Sequence, residues 1–389
     1  MRHAALTAVA VVMLIGATGR GQSPWNFVEH TVGTDLRGGY HVTAADLNKD
    51  GRVDLLAVAT GAKTDLVWFE NPTWTRHVMA SGFPGMINAD AFDVDGDGYP
   101  EVVLQSGFST TPAKGDGRMI LLTKGADVNA PWTAKEFDRM PSVHRVRWMD
   151  AHGNGRKIVV NAPLAGVAAA PPDYKDKVGV YAYDPKNDYK RETITDADEG
   201  VLHGIQVVDW DGKGRDALLT ASFLGIHLYR YNDGNWLRVR LTAGNPDPWP
   251  QNGSSDVVVL RTRTGRQLAA IEPWHGNKVV VYRSNSGRWD SRTVIDDTLN
   301  DGHTLAQGDL DGDGVDEIVA GYRGAGGGLN VYRVGANDQW TRHALAEPSQ
   351  KSMAAAGCAI AHLNDDKRLD IACIGTSTAN LKWYENKQP

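Results

Sequence analysis

One pattern recurs seven times along this chain of 389 residues: an apolar strand, a turn, and a second apolar strand. It reads VTAADLNKDGRVDLLAV from Val42, ADAFDVDGDGYPEVVL from Ala89 and RVRWMDAHGNGRKIVV from Arg145. It continues as IQVVDWDGKGRDALLT from Ile205, LAQGDLDGDGVDEIVA from Leu305 and AIAHLNDDKRLDIACI from Ala359. The copy from Asp256, DVVVLRTRTGRQLAAI, keeps the strands but has lost the acids of the turn. The first turn positions are Asp46, Asp93, Asp150, Asp209, Leu260, Asp309 and His362, spaced 47, 57, 59, 51, 49 and 53 apart. A repeat of roughly fifty residues is the size of one four-stranded propeller blade.

A second signal has the same period. An aromatic residue opens an alternating polar and apolar run at Trp25, Trp74, Trp132, Tyr189, Trp236, Trp289 and Trp340. Such alternation builds a half-buried strand. Seven copies of each signal predict an all-β fold, a seven-bladed β-propeller with four-stranded blades. The chain opens on an aromatic strand and ends one short of it, at LKWYENK from Leu381. The N-terminal strand is therefore expected to complete the last blade, which removes free sheet edges. An open-ended solenoid is the alternative.

Three of the turns carry oxygen side chains at positions 1, 3, 5 and 9. They are Asp46, Asn48, Asp50 and Asp54; Asp93, Asp95, Asp97 and Glu101; and Asp309, Asp311, Asp313 and Glu317. Gly51, Gly98 and Gly314 stand at position 6, where the turn is sharpest. Calcium takes about six to eight oxygens, several of them anionic, so these turns are expected to bind Ca2+. The β-rich flanks exclude an EF-hand, which needs a helix on each side. The turns at Asp150, at Asp209 with Asp211 and Asp216, and at His362 are incomplete and are expected to hold no ion. The D-x-D-G-D-G-x-x-E turns resemble the FG-GAP or VCBS repeats of integrin α-subunit propellers. The resemblance implies the fold and a calcium that staples the loops. It implies no single activity, since adhesion modules, lectins and sugar-processing enzymes share it.

Arg2 and His3 precede an apolar run from Ala4 to Ile15, followed by small residues. The run is too short to span a bilayer and has the layout of a signal peptide, assigned to residues 1–21. Residues 22–389 are expected to form a single propeller, secreted or periplasmic, with no membrane span. A net charge of −6 without a basic run argues against a nucleic-acid partner. No partner protein is evident. Cys358 and Cys373 either form a disulfide, which the compartment permits, or are two small buried residues on neighbouring strands. A phosphate loop is excluded, because the Gly324–Gly328 cluster lacks its Lys.

Six residues before each turn stand Tyr40, Ile87, His144, His203, Ser254, His303 and Ala356. With 12 His in the chain, three in one repeat position is well above chance. Six strand residues span roughly 20 Å, so these positions lie at the end of the inner strand opposite the acidic turns. His144, His203 and His303 are expected to converge there and hold Zn2+ or another divalent ion. The loops after the second strands open on the same face, and they carry His275 (beside Trp274), Tyr322 with Arg323, and Lys175 (beside Tyr174) in a long insertion. His41, His275 and Tyr322 are candidates for the base, and Arg323 and Lys175 for binding an anionic group. His227 is expected on a solvated outer strand.

The segments VHRVRWMD from Val143, NAPLAG from Asn161 and VLHGIQVVDWDGKG from Val201 resemble the propeller domain of the aldos-2-ulose dehydratase family. That resemblance implies elimination of water from a keto-sugar. The cupin domains of that family are absent from this sequence, so cupin-dependent isomerisation is not expected. Propeller polysaccharide lyases perform a related β-elimination with His, Tyr and Arg. The expected function is therefore a metal-assisted lyase or dehydratase with a carbohydrate substrate. A non-catalytic lectin-like or adhesion propeller is the rival.

Overall fold

A computed structural model describes residues 25–61, 63–324, 327–335, 337–346 and 355–388. The expected signal peptide lies outside the described residues. The chain forms 28 strands in seven antiparallel four-stranded sheets, with only two short 3-10 turns among the described residues.

The first strand is β1 (Phe27–Gly33). Blade 1 is β2 (Gly39–Ala45), β3 (Asp54–Ala59), β4 (Leu66–Glu70) and β5 (Thr75–Ala80); blade 2 is β6 (Asn88–Phe92), β7 (Glu101–Ser106), β8 (Arg118–Thr123) and β9 (Thr133–Arg139). Blade 3 is β10 (Arg145–Met149), β11 (Ile158–Ala162), β12 (Lys177–Asp184) and β13 (Lys190–Glu199); blade 4 is β14 (Leu202–Val208), β15 (Ala217–Ser222), β16 (Gly225–Asn232) and β17 (Asn235–Thr242). Blade 5 is β18 (Asp256–Thr262), β19 (Gly265–Glu272), β20 (Lys278–Asn285) and β21 (Arg288–Asp296); blade 6 is β22 (Gly302–Gly308), β23 (Glu317–Tyr322), β24 (Gly328–Val334) and β25 (Trp340–Ala346). Blade 7 is β26 (Ala355–Ala361), β27 (Asp370–Gly375) and β28 (Leu381–Asn386), completed by β1.

The chain is a seven-bladed β-propeller, and β1 pairs antiparallel with β28 as its first and last strands predict. Each blade is buried on both sides by its neighbours. That is why second strands such as DLLAVA and EVVLQS carry a continuous apolar stretch rather than an alternation, and are fully buried along their length. Leu56 and Trp68 of blade 1 pack with Leu104, Ile120 and Trp132 of blade 2. Val42 and Leu55 of blade 1 pack with Ala372 and Leu381 of blade 7, which closes the wheel. Burying one such side chain fully is worth about 1.5–3 kcal/mol. Cys358 and Cys373 face each other across β26 and β27 and are disulfide-bonded.

Three inner strands share one irregularity, which recurs at Ala356 in β26. The pairing register slips between Gly39 and His41 in β2, between Leu202 and Gly204 in β14, and between Gly302 and Thr304 in β22. The extra residues are Tyr40, His203 and His303. A bulge frees its residue from the ladder and re-aims the side chain.

One expectation is overturned. His227 lies on β16, the third strand of blade 4, and is 1 % exposed, beside Asp198. Its run GIHLYRY has neighbouring blades on both sides, so alternation along it does not mark a solvated face.

Candidate functional site

Four imidazoles and one phenol meet at the end of the inner strands opposite the acidic turns. Tyr40, His203 and His303 arrive from the bulges, and His144 from the residue before β10. His275 arrives from the turn after β19, on a backbone with φ +49°. The His203 ring lies 4.8 Å from His144, 4.9 Å from His275 and 5.1 Å from His303 between centroids. Tyr40 Oη is 3.0 Å from Nε2 of both His144 and His303.

Guanidinium groups only donate and carboxylates only accept. Arg323 Nη2 lies 3.1 Å from His275 Nδ1, and His275 Nε2 lies 3.2 Å from His203 Nε2. His203 donates from Nδ1 to the Ser255 carbonyl at 3.1 Å. Arg145 Nη1 donates to His144 Nε2 at 3.0 Å, which places the His144 proton on Nδ1. Asp301 stands behind His275, its Oδ1 3.3 Å from His275 Nδ1 and 3.2 Å from Arg323 Nη2. Burial, and after it Arg145, holds His144 and His203 well below the usual imidazole range. Burial and then Arg323 push His275 down to about 3. Those rings are neutral, the form in which imidazole binds metals. One ligand nitrogen each from His203, His275 and His303 lies within 4.8 Å of the other two, close enough to converge on one divalent ion.

An aromatic cap covers the cluster. The Phe108 ring is 5.6 Å from His144, Trp274 is 4.7 Å from His275, and Tyr174 stands edge-on to Trp274 at 5.2 Å. Leu164, Ala165 and Phe223 fill the space between them. Trp249 Nε1 donates to the Asp173 carbonyl at 2.8 Å and ties the insertion down. His144, His203 and His303 are thus each 1 % exposed, and His275 and Arg323 form the more open edge.

The structure rearranges the roles read from sequence. Ligand-atom spacing groups His275 with His203 and His303, while His144 is tied to Tyr40 and Arg145. His41 lies one residue past the bulge, back in the ladder opposite Val58. Its ring rests on the Ala89 backbone near Arg147 and Arg145, so it belongs to the channel wall. The Tyr322 ring lies against Gly328 inside blade 6. Lys175 is exposed to solvent; its neighbour Tyr174 is the buried residue of the insertion. Arg323 does reach the cluster. Sequence reasoning passed over Tyr40, although it occupies the same repeat position as the three histidines. Arg145 was passed over although it adjoins His144 in the sequence, and Asp301 carried no signal, since it reaches His275 across a blade boundary.

At the other end of the strands, each complete acidic turn is held by its own backbone. Asp46 Oδ2 accepts from Gly51 N at 2.9 Å, Asp93 Oδ2 from Gly98 N at 2.9 Å, and Asp309 Oδ2 from Gly314 N at 2.9 Å. The three glycines have φ +83°, +90° and +86°, which a side chain at those positions would strain. The position-9 carboxylates turn inward: Asp54, Glu101 and Glu317 accept from Leu47, Val94 and Leu310 N–H groups, each at 2.9 Å. Carboxylate oxygens of Asp93, Asp95 and Glu101, and of Asp309, Asp311 and Glu317, fall within 4.8 Å of one another. Glu317 is buried, and its Oε1 accepts no hydrogen bond, with Arg333 Nε 4.0 Å away. Burial and then Asp311 push its carboxyl up to about 8. A cation-shaped demand of this kind suits Ca2+. In the incomplete turn after β14, Asp216 instead accepts from Asp150 N at 2.7 Å, across the blade boundary.

Residues 116–285 match the family described as aldos-2-ulose dehydratase, β-propeller domain. The chain resembles that propeller. A curated relative, aldos-2-ulose dehydratase of Phanerodontia chrysosporium, is 25% identical over 304 residues, which is 68% of this chain. The chain spans only 33% of that relative's length. The matched stretch contains His144, Arg145, His203 and His275, whereas Tyr40, His303 and Arg323 lie outside it.

Proposed function

We propose that the chain is a secreted lyase or dehydratase that performs β-elimination on a sugar or keto-sugar, assisted by a divalent ion such as zinc. The observation that carries this reading is the convergence of His203, His275 and His303, backed by Asp301, beside a phenol. The relative's name, a dehydratase of an aldos-2-ulose, supports loss of water from a carbonyl sugar.

His203, His275 and His303 would hold the ion. When bound, it supplies Lewis acidity toward a carbonyl or carboxylate next to the acidic C–H. Tyr40 Oη, hydrogen-bonded to two imidazoles, is the group best placed to exchange a proton with the sugar. Arg323 and Asp301 orient His275. The cap of Phe108, Trp274 and Tyr174 keeps water from a carbanion. A lectin would repeat its sugar pocket from blade to blade; the imidazole cluster forms once among the described residues, which favours a single reaction site. In the acidic turns we propose structural Ca2+, and the apolar run Ala4–Ile15 supports export. Among the described residues no helix is long and apolar enough to cross a membrane.

The test is metal content and elimination activity, the latter followed by the absorbance of the unsaturated product. His203→Ala and His303→Ala are each expected to lose the ion and at least about 100-fold in rate. If both variants keep the ion and full activity, the assignment is wrong.

A further inference from the structure

Beneath the imidazoles the channel holds a cavity of about 230 Å³, walled by β10, β14, β18 and β22. Arg145 and Arg147 line it from successive inward positions of β10, with Gln206, Asp256 and Gln307 on the other walls. Arg145 is 7 % exposed. Its Nη1 is engaged by His144, through Nε2 at 3.0 Å and the carbonyl at 3.3 Å, and its guanidinium stands 5.6 Å from the Tyr40 ring centre. Arg147 Nη1 donates to Asn88 Oδ1 at 2.8 Å and to the Val146 carbonyl at 2.6 Å. Among the described residues neither guanidinium has a carboxylate within 4.0 Å.

The acids stand further off. Asp256 spends Oδ1 on Val257 N at 2.9 Å, and Asp90 spends Oδ2 on Trp148 N at 2.7 Å. Burial raises Asp256 to about 6, against the pull of Arg145 and Arg147. Buried Arg145 and half-buried Arg147 therefore flank a cavity in which neither guanidinium touches a carboxylate, although Asp256 shares its wall. A buried charge without a counter-charge is costly, and the planar fork of Arg fits a carboxylate through two parallel N–H bonds.

We propose that this cavity is a carboxylate subsite, which takes the acid group of a uronic acid or of its keto derivative while the sugar ring reaches up to the imidazoles. The sugar part of this assignment rests on the carbohydrate reading above; the anion part does not.

The probes are methyl β-glucuronide and methyl β-glucoside, titrated calorimetrically into the full chain. The glucuronide is expected to bind at least about tenfold more tightly, with affinity falling as salt rises. Arg145→Gln and Arg147→Gln, each checked for folding by circular dichroism, are expected to lose that preference. Two variants guard against the misfolding of one. Equal binding of the two glycosides, or retention of the preference in both folded variants, overturns the proposal. So does loss of the preference in Arg37→Gln alone, which would move the anion to the exposed cleft of Arg37, Lys63 and Arg76. A chain that dehydrates a neutral keto-sugar yet ignores the glucuronide leaves the lyase reading intact and overturns only this subsite.

Discussion

Tyr40 is the residue on which the chemistry can be examined most cleanly, because it touches two imidazoles without belonging to the group that would hold an ion. Tyr40→Phe removes one oxygen and keeps the ring. Elimination is expected to slow by about 100-fold, with metal content and melting temperature near those of the parent; a rate within threefold of the parent would remove Tyr40 from the reaction. The buried histidines also set an acid limit. His227 is pushed down to about 4 by burial, whereas an unfolded chain titrates near 6.5. Between those values the unfolded state binds the extra proton, so stability is complete above about pH 6.5 and is lost as the pH falls toward 4. This group contributes about 3 kcal/mol to the effect, and His41, His144, His203 and His275 act in the same direction. Urea midpoints measured from pH 7 to pH 4 should fall, and His227→Gln should flatten part of the slope. At this scale the sequence was half legible. Repetition exposed His144, His203 and His303, but a search for imidazoles alone skipped the phenol in the same position. Asp301 depends on which blade stands next, which no local pattern records, whereas Arg145 stands beside His144 in the sequence and was passed over.

Two devices repeat at the scale of the strand. The first is a clasp between blades: a Tyr on a third strand donates to an acid on the outer strand of the preceding blade, and an Arg on the Tyr's own outer strand completes it. Tyr229, Asp198 and Arg238 form one example, at 2.6 Å and 2.8 Å to the acid. Tyr183 with Asp138 and Arg191, and Tyr332 with Asp296 and Arg342, are others. Asp198 is fully buried, so Arg238→Met should leave it uncompensated and cost roughly 3 kcal/mol in chemical denaturation. The Tyr recurs in VYAYD, HLYRY and NVYRV but was not picked out from the sequence, and its acid partner sits a blade away. The second device is the acidic turn. Chelation is expected to lower the melting temperature by several degrees, and Glu317→Gln should diminish that calcium-dependent part, as scanning calorimetry with and without added Ca2+ can show. The turns were legible residue by residue because their hydrogen-bond partners are local; the aromatic cap was not, since Phe108, Trp274 and Tyr174 come from three separate loops.

For the whole molecule, the wheel followed from counting strands. Seven turn motifs and seven aromatic runs, with one strand displaced to the front, leave one arrangement in which every blade has four strands. Removing residues 25–33 should expose the edge of β28, and the truncated chain is expected to self-associate in size-exclusion chromatography where the parent does not. The bulges on the inner strands have a wider meaning. Blades 1, 4 and 6 each offer a bulged socket at the hub, and here Tyr40, His203 and His303 occupy theirs. Because a bulged residue stands outside the ladder, its side chain is less bound by the pairing of its strand. A wheel of this kind can exchange one chemistry for another by a few hub substitutions, and relatives with the same rim need not share a reaction.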